Sequence, residues 1–442
     1  LQSLERKAYD LGVRATAQVP TDRIAVIAID DQSIANIGRW PWSRDVHARM
    51  SEILIGVKAK VVGYNVFFFE PQIDPGLEYI NKLTDVFAAS SFRNAADPAA
   101  GQFNRLLAEA AEALNTDAKL QGSFRRANNV VLPFVFQALV EPQGNPDGPC
   151  PDHILKSSTW APDRGIEVGR LPIPGINPLY PLEGFATSAV ALGHLNADRD
   201  VDGAVRTEPL VLRYYDKYFP AMSVMLAAQS LNLKPEDVRL NFGEELILGK
   251  LRIRTDSNLR MYTYFYSGQE GGRPPFPLDS FFDVYTGKIP ADKYRDKIVL
   301  IGPTATGLGQ AMVTPVSAAT SPVETMAHTV SSILKEHYFV APSWGVWVQL
   351  LLILLVAAYL IAALPRLSAG TGAVVSLAIL LGLIVAHFAL MVGKQMWLQF
   401  MAAAVLLVVG HALLTTKRFL LTQKGKEESE AGSRADTPEQ PS

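Results

Sequence analysis

The chain has 442 residues, with 41 Lys and Arg, 43 Asp and Glu and a formal net charge of −2, a balance that gives no reason to expect nucleic acid as a partner. Its length is sufficient for more than one domain. The one cysteine, Cys150, cannot form a disulfide within the chain, so the sequence permits an oxidising compartment without depending on it.

The first 343 residues alternate short apolar runs with helical stretches. Residues 1–14 place apolar side chains at helical spacing. Residues 23–30 predict a strand covered on both faces, because the run is almost continuously apolar, and a helix at 43–56 separates it from a second strand at 60–69. Two strands joined through a helix by roughly 30 residues are typical of a βαβ unit with parallel strands.

The rest of this region continues the mixed pattern. We predict further helices at 103–114, 117–126, 221–231, 281–285 and 326–335, and further strands at 129–137, 189–195, 204–214, 246–254, 261–266 and 297–301. Residues 1–343 are therefore expected to form an α/β domain that is large enough to bury its own core.

Residues 344–416 contain only two charged residues, Arg366 and Lys394, and no acidic residue. Short polar breaks divide them into three apolar runs, 344–364, 370–392 and 397–416, each about long enough to cross the roughly 30 Å hydrocarbon core of a bilayer. Such runs must be helical in lipid because their backbone polar groups find no other partners there. The alternative is three buried helices of a soluble core, yet soluble helices rarely remain apolar on every face. The sequence predicts an all-α membrane domain of three transmembrane helices.

The basic residues predict the orientation of these helices. If residue 344 lies outside the cytoplasm, Lys394 is the one basic residue on the outer side. The inner side then carries Arg366, Lys417, Arg418, Lys424 and Lys426. Cytoplasmic flanks retain Lys and Arg, so residues 1–343 are predicted to be extracytoplasmic and residues 417–442 cytoplasmic. An exported domain needs a route across the membrane, so we expect a further span or a signal before Leu1.

The tail, residues 417–442, is rich in charged residues, Pro and Ser. Such a composition cannot support a packed core, so the tail is predicted to be disordered. We recognise no output domain in it.

Five motifs, in this order, resemble one family. They are residues 23–31, the Gly-Arg-Trp-Pro-Trp-Ser-Arg of 38–44, the Gly-Tyr-Asn-Val-Phe-Phe-Phe-Glu-Pro of 63–71, the Asp-Val-Asp-Gly-Ala-Val-Arg of 200–206 and the Asp-Lys-Ile-Val-Leu-Ile-Gly of 296–302. Together they resemble the type-two CHASE domain (CHASE2), an extracellular sensory module of bacterial receptors that accompanies cyclase or kinase outputs and leads into three membrane spans. The resemblance covers nearly all of residues 1–416. It implies a multi-pass protein of the bacterial inner membrane with a periplasmic sensory domain.

Two positions depart from the pattern of that family. Asn65 stands where an Asp is usual, and so does Gln310, after Gly307-Leu-Gly309. If those acids hold a ligand or a cation in relatives, this chain must differ from them there.

Four charged residues are candidates for binding a ligand. Asp30 and Asp31 follow the first predicted strand, Glu70 follows the second, and Arg44 lies at the start of the helix between them. The carboxyl ends of parallel strands meet at one edge of a sheet, where ligands bind. These side chains are therefore predicted to hold a polar ligand or a cation. The alternative is that the carboxylates cap the following helices and pair with arginines.

A second group of acids has part of the spacing of a calcium loop. Asp198, Asp200 and Asp202 are followed by Gly203, as in the first half of such a loop. The twelfth position, which needs a bidentate Glu, is Pro209, so a turn between two strands is the stronger interpretation and calcium the weaker one. No other cofactor is predicted. We find no pattern of a catalytic triad, a zinc site or a Cys-His pair, so the chain is predicted not to be an enzyme.

These observations predict a membrane-anchored sensory module that detects an unknown signal and transmits it through its helices to a cytoplasmic output domain or partner. Transfer is assigned to residues 328–343, with His328 in the last helix of the head and Pro342 before the first span. Small residues on the second span let another helix approach closely, which favours a homodimer. The alternative is a scaffold of the cell envelope that binds a protein partner without signalling.

Overall fold

The computed structural model describes residues 1–72, 74–94, 98–145, 150–159, 171–268 and 274–435. Its α-helices are α1 (Gln2–Ala15), α2 (Asp31–Ile37), α3 (Arg44–Gly56), α4 (Pro75–Ala89), α5 (Pro98–Leu114), α6 (Thr116–Ala127), α7 (Asp152–Leu155), α8 (Glu183–Ser188), α9 (Met222–Ser230), α10 (Phe281–Tyr285), α11 (Pro322–Lys335), α12 (Gly345–Ala358), α13 (Ala369–Lys394) and α14 (Met401–Ala435).

Its strands are mostly short. They are β1 (Ile24–Ile29), β2 (Val61–Tyr64), β3 (Val130–Ala138), β4 (Ile173–Pro174), β5 (Ile176–Leu179), β6 (Ala191–His194), β7 (Thr207–Pro209), β8 (Val211–Tyr214), β9 (Lys217–Pro220), β10 (Val238–Asn241), β11 (Glu245–Leu248), β12 (Leu251–Arg254), β13 (Arg260–Thr263), β14 (Leu278–Ser280), β15 (Ile298–Pro303) and β16 (Tyr338–Phe339).

The chain divides into two compact units. The sheet unit comprises Ala17–Tyr338, and the helical unit comprises Leu1–Thr16 together with Phe339–Ser442. The sequence predicted a domain boundary after residue 343. The two compact units of the structure meet between Tyr338 and Phe339. The structure also assigns α1 to the helical unit, whereas the sequence placed those residues in the head.

A seven-stranded sheet forms the centre of the sheet unit. The strand order is β14-β1-β15-β2-β3-β5, and β6 also pairs with β3. All neighbours are parallel except β3 and β5. The predicted βαβ unit is present, with α2 and α3 between β1 and β2, and β15 inserted between these two strands in the sheet. The mixed α/β fold predicted for the head is confirmed.

Burial explains why these segments form strands at the centre of the sheet. All six residues of β1 and all four of β2 are buried, as are five of the six in β15. A strand covered by helices on both faces has no solvent side, so it reads as a continuous apolar run rather than as an alternation. Parallel strands in register bring their carboxyl ends to the same edge of the sheet, which we call the carboxyl edge.

Three helices of the helical unit are long and apolar enough to cross a membrane. They are Gly345–Arg366, Ala369–Lys394 and Met401–Gly425, close to the predicted 344–364, 370–392 and 397–416. The first begins as α12 and continues through a π-helical turn at Tyr359–Ala363. Large apolar side chains point outward, such as Ile361 with 77 % exposure, as expected for surfaces that contact lipid.

The tail differs from its prediction over much of its length. Helix α14 continues without a break through Ala435, where composition predicted disorder from residue 417. The physical reason is that starting a helix is costly, whereas extending an existing one fixes one residue for each added hydrogen bond. The predicted disorder of residues 436–442 lies outside the described residues.

Candidate functional site

The carboxyl edge holds the four charged residues predicted to bind a ligand, and the structure places Asp30 as a helix cap. Its carboxylate accepts the backbone N–H of Ser33 at 2.8 Å, the cap of α2, and the hydroxyl of Ser280 at 3.0 Å. The capping alternative therefore holds for Asp30. Asp31 lies beside it in α2 and accepts the backbone N–H of Thr306 at 3.1 Å.

Arg44 takes part in a polar network between helices. Its Nε lies 3.3 Å from a carboxylate oxygen of Asp117 in α6, and its guanidinium lies over the ring of Phe68 at 4.7 Å. Both charged side chains are largely buried, and burial lowers the pKa of Arg44 while Asp117 opposes that change. Glu70 is exposed, and it is its backbone carbonyl that accepts from Arg44. These contacts join α3 to α6, and a ligand-binding role for the four residues stays a prediction.

The acids of the predicted calcium loop each face an arginine. Asp198 lies 2.8 Å from Arg260. Asp200 and Asp202 both pair with Arg206, a buried side chain, at 3.1 and 2.8 Å. Over the residues that the structure describes, no cluster of three His, Cys, Asp or Glu side chains is arranged to hold a metal ion. Calcium binding here stays a prediction, and it requires these arginines to be displaced.

The predicted transfer segment is not one continuous helix. His328 is buried within α11, where its Nδ1 accepts the backbone N–H of Tyr266 at 3.0 Å. Helix α11 ends at Lys335, because Glu336 adopts a left-handed conformation with φ of 52°, and β16 follows. Pro342 precedes α12. A role of His328 and Pro342 in signal transfer stays a prediction.

A cavity of about 250 Å³ lies further along the carboxyl edge. Its polar lining comes from Asn65 after β2, Asn196 after β6, Glu208 in β7, Gln310 and Thr325. Its apolar walls include Phe67, Leu195, Met312, Pro322 and Met326. None of the four predicted ligand-binding residues lines it. The sheet has a pocket at the edge where such sheets bind ligands, at a different position from the one predicted.

Asn65 is the lining residue with an unmet hydrogen bond. It is 7 % exposed, and its side-chain Nδ2 has no hydrogen-bond partner among the described residues. Its backbone is fixed, because the N–H donates to the carbonyl of Ile301 in β15 at 2.7 Å. A buried donor without a partner costs about 1–3 kcal/mol, so natural folds rarely retain one unless something else satisfies it.

Close packing beside Asn65 depends on Gly302, the last residue of the 296–302 motif. A Cβ added to Gly302 would lie 2.8 Å from Cβ of Val323 and 2.9 Å from Cβ of Asn65. Real Cβ atoms do not approach so closely, so any larger residue forces this wall to move. The start of α11, which supplies Pro322, is fixed by a capping box between Ser321 and Glu324.

Glu208 is the one acidic residue among those that line the cavity. It is partly exposed as a residue, yet protein atoms surround its carboxyl, and one oxygen accepts the hydroxyl of the fully buried Ser223 at 3.0 Å. Burial raises the pKa of the Glu208 carboxyl to about 7, and the bond from Ser223 opposes that rise. Near neutral pH this group is present in both protonation states, so it can donate or accept a hydrogen bond.

The remaining polar lining is occupied by protein contacts. Asn196 uses both ends of its amide on the backbone of Phe136, at 2.9 and 2.7 Å. Gln310 is an exposed lining residue, and its Oε1 accepts from Arg199 at 2.8 Å. Asn65, whose Nδ2 has no partner among the described residues, and Glu208 therefore remain as the lining residues with hydrogen-bonding capacity left.

Sequence reasoning identified two of these positions without recognising the cavity. Asn65 and Gln310 attracted notice as departures from a family pattern. The signal that could have linked them was the place of Asn65 directly after a buried strand, where a carboxyl edge was expected. The presence of Glu208 in the same lining depends on strands far apart in sequence and had no local signal.

The comparisons with known proteins agree with the resemblance found in the sequence. No curated protein matches the chain, and no solved structure does. A family model described as the CHASE2 domain matches residues 1–362.

Proposed function

Because the chain belongs to the CHASE2 family of sensory domains, we propose that it is a membrane-anchored sensory module whose sheet unit binds a small molecule in the cavity at Asn65. The observation that carries this proposal is the enclosed donor at the carboxyl edge. A ligand that accepts a hydrogen bond removes the cost of a buried donor without a protein partner, and the Nδ2 of Asn65 is such a donor.

We propose that the sheet unit lies outside the cytoplasm. The loop at Lys394 is then outside, and the loop at Arg366 and the tail are in the cytoplasm, as the basic residues predict. Support comes from the three apolar helices and from the family, whose members sense extracellular signals. Cysteines placed singly at Ser368 and Gln395, in a Cys150→Ser background, distinguish the orientations. An impermeant thiol reagent added to intact cells should label the Gln395 site alone. Labelling at Ser368 would place the sheet unit in the cytoplasm.

Within the helical unit, α1 is the element best placed to move the spans. Oε1 of Glu5 accepts the backbone N–H groups of Met401 at 2.7 Å and of Ala402 at 3.2 Å, at the start of α14. The backbone carbonyl of Ala8 lies 3.1 Å from Nε2 of His387 in α13. A displacement of α1 therefore acts on the second and third spans at once. Transmission to a cytoplasmic output domain or partner, of cyclase or kinase type, is part of the proposal.

We also propose that the protein acts as a homodimer through the second span. Gly370 and Gly382 have open space where a Cβ would lie, whereas Ser376 is turned inward and bonds to His411 at 2.8 Å and to Tyr359 at 2.8 Å. Gly382→Cys should crosslink between chains, and Ser376→Cys should not. A monomer in nanodiscs that forms neither crosslink contradicts the dimer.

The function is tested by joining the tail to the catalytic domain of a bacterial adenylate cyclase and measuring cyclic AMP in cells. Ala197→Phe narrows the cavity and Asn65→Leu removes its donor. Each should change output at least twofold, because it mimics or prevents occupancy. The matched control is Ala118→Phe, at an exposed alanine in a separate cleft lined also by Arg49 and Glu52. If both cavity variants insert and fold but give the output of the control, the module does not signal from this cavity, and the envelope scaffold becomes the better reading.

A further inference from the structure

The lining of the cavity restricts what can occupy it, first by size. An engineered cavity of roughly 150 Å³ in another protein accepts benzene, so the present volume of about 250 Å³ accepts one ring with a few substituents. A drug-sized ligand needs about 300–1,000 Å³ and does not fit.

Charge is the second restriction. Among the described residues that line the cavity there is no Lys, Arg or His, and Glu208 is the one ionisable group. An anion entering here loses its hydration beside a carboxyl group and finds no cation among the lining residues, a transfer that is strongly unfavourable. The apolar walls likewise exclude a molecule that is polar throughout.

Hydrogen bonding is the third restriction. The Nδ2 of Asn65 is a donor, so its partner must carry an acceptor. An ammonium group has donors only and leaves this amide unpaired. A hydrocarbon has neither, and it displaces any water from Asn65 without replacing the hydrogen bond.

We propose that the cavity binds a small, neutral, mostly apolar molecule that carries a carbonyl oxygen, which accepts from Asn65, in the class of aromatic ketones, lactams and lactones. This assignment rests on the proposed function, since it names the ligand chemistry of the same site. The carboxyl group of Glu208 contacts the second polar position of the ligand. The methionines Met312 and Met326 adapt to the apolar body because their thioether side chains are flexible and polarisable.

Four probes of nearly one shape separate these restrictions. Acetophenone is neutral and has an acceptor, benzoate is anionic, 1-phenylethylamine is cationic with donors, and ethylbenzene has no polar group. The full chain, labelled with 13C at the methionine methyl groups and held in nanodiscs, reports binding through the resonances of Met312 and Met326, which are assigned with Met312→Leu and Met326→Leu.

Acetophenone should shift both resonances with saturable binding, and the other three should shift them at least tenfold less at equal concentration. Ethylbenzene partitions into lipid more strongly than acetophenone, so an effect of dissolved probe on the bilayer would rank the two in the opposite order. Asn65→Leu should lower the affinity for acetophenone at least tenfold, and it should leave the affinity for ethylbenzene unchanged or raise it. The control Asn81→Ala, at an exposed amide that lines the separate cleft, should bind acetophenone like the natural chain.

Three outcomes overturn the assignment. Equal binding of benzoate removes the charge argument, and equal loss of acetophenone and ethylbenzene in Asn65→Leu removes the role of the donor. No saturable shift with any probe means that the cavity holds water only. A wrong ligand class leaves the cyclase output of Ala197→Phe changed, whereas a wrong function leaves that output unchanged even if acetophenone binds, so the two failures are distinguishable.

Discussion

The two halves of the carboxyl edge differ in how their polar groups are satisfied. In one half Asp30 caps a helix, Asp31 accepts from Thr306 and Arg44 pairs with Asp117. In the other half Asn65 is buried, its Nδ2 has no partner among the described residues, and it lines a cavity together with Glu208. Both halves follow apolar parallel strands, and both looked polar in the sequence.

The difference teaches that charge at a strand end does not by itself distinguish a binding residue from a structural one. Carboxylates there often have a structural role, because the N–H groups at helix N-termini and nearby arginines donate hydrogen bonds to them. A hydrogen-bonding group that the fold has buried and left without a partner is the stronger indicator, since its cost is recovered when a ligand binds. The comparison predicts that substitutions in the first half reduce stability and that substitutions at Asn65 do not.

The largest expected effect follows from breaking the network of Arg44. Asp117→Ala leaves the guanidinium largely buried without its carboxylate, and we expect the free energy of unfolding of the sheet unit to fall by about 3–5 kcal/mol. The control Glu52→Ala removes the exposed pair with Arg126 and should cost less than about 1 kcal/mol. Both are measured by denaturant titration in nanodiscs. Equal effects of the two variants would show that the ion pair of Arg44 and Asp117 contributes no more to stability than an exposed pair does.

The next effect concerns pH, because three buried histidines and Glu208 act in opposite directions. Burial lowers the pKa of His47, His194 and His328 to about 3. As pH falls below 6.5 these histidines become protonated in the unfolded state and not in the folded one. Each therefore lowers the free energy of unfolding by about 1.4 kcal/mol per pH unit. Burial raises the pKa of Glu208 to about 7, so between pH 7 and 4.5 this carboxyl is protonated in the folded state only. It therefore raises the free energy of unfolding by a similar amount per pH unit as pH falls through this range.

The net contribution of these four groups between pH 7.5 and pH 5 is a loss of about 3.5 kcal/mol in the free energy of unfolding, seen as a lower melting temperature. Glu208→Gln cannot gain protons in this range, so its loss over the same interval should be larger by about 2–3 kcal/mol. Parallel pH profiles for the two proteins would show that Glu208 ionises normally and that the cavity does not perturb it.

A smaller effect tests the wall that the cavity shares with the sheet. Gly302→Ala places a methyl group within 3 Å of Val323 and Asn65, and such overpacking costs about 1–3 kcal/mol. Gly56→Ala is the matched control at the end of α3, where nothing lies within 4 Å of an added Cβ, and it should be neutral or slightly stabilising. The melting temperatures of both variants test this expectation. Equal values would mean that Val323 and Asn65 move aside without loss of stability.

The smallest effects separate the two halves most directly. Asp30→Ala removes a helix cap and should lower the free energy of unfolding by about 1–2 kcal/mol. Asn65→Leu removes a buried donor that has no partner, so stability should not fall and is expected to rise by up to about 1 kcal/mol. Denaturant midpoints measured without added ligand provide the test. A marked loss in Asn65→Leu would show that Asn65 is structural, as Asp30 is.

The sequence by itself determined the parts of this protein that depend on local pattern. Continuous apolar runs predicted buried parallel strands such as β1 and β15, and the absence of charge predicted the three long helices, because burial on all sides excludes polar residues wherever it occurs. The ordered motifs indicated the family, and the polar residues after the strands indicated the edge of the sheet where the cavity lies.

Only the tertiary structure decided which polar residues at that edge have partners. Asn65 and Glu208 line one cavity although they lie far apart in the sequence, and Arg44 is occupied because α6 brings Asp117 to it. Likewise α1 belongs with the spans because Glu5 caps α14, a contact between residues almost 400 positions apart. Sequence pattern records whether a residue is buried or exposed, whereas hydrogen-bond partners far along the chain are set by packing, so a missing partner becomes visible only in the folded protein.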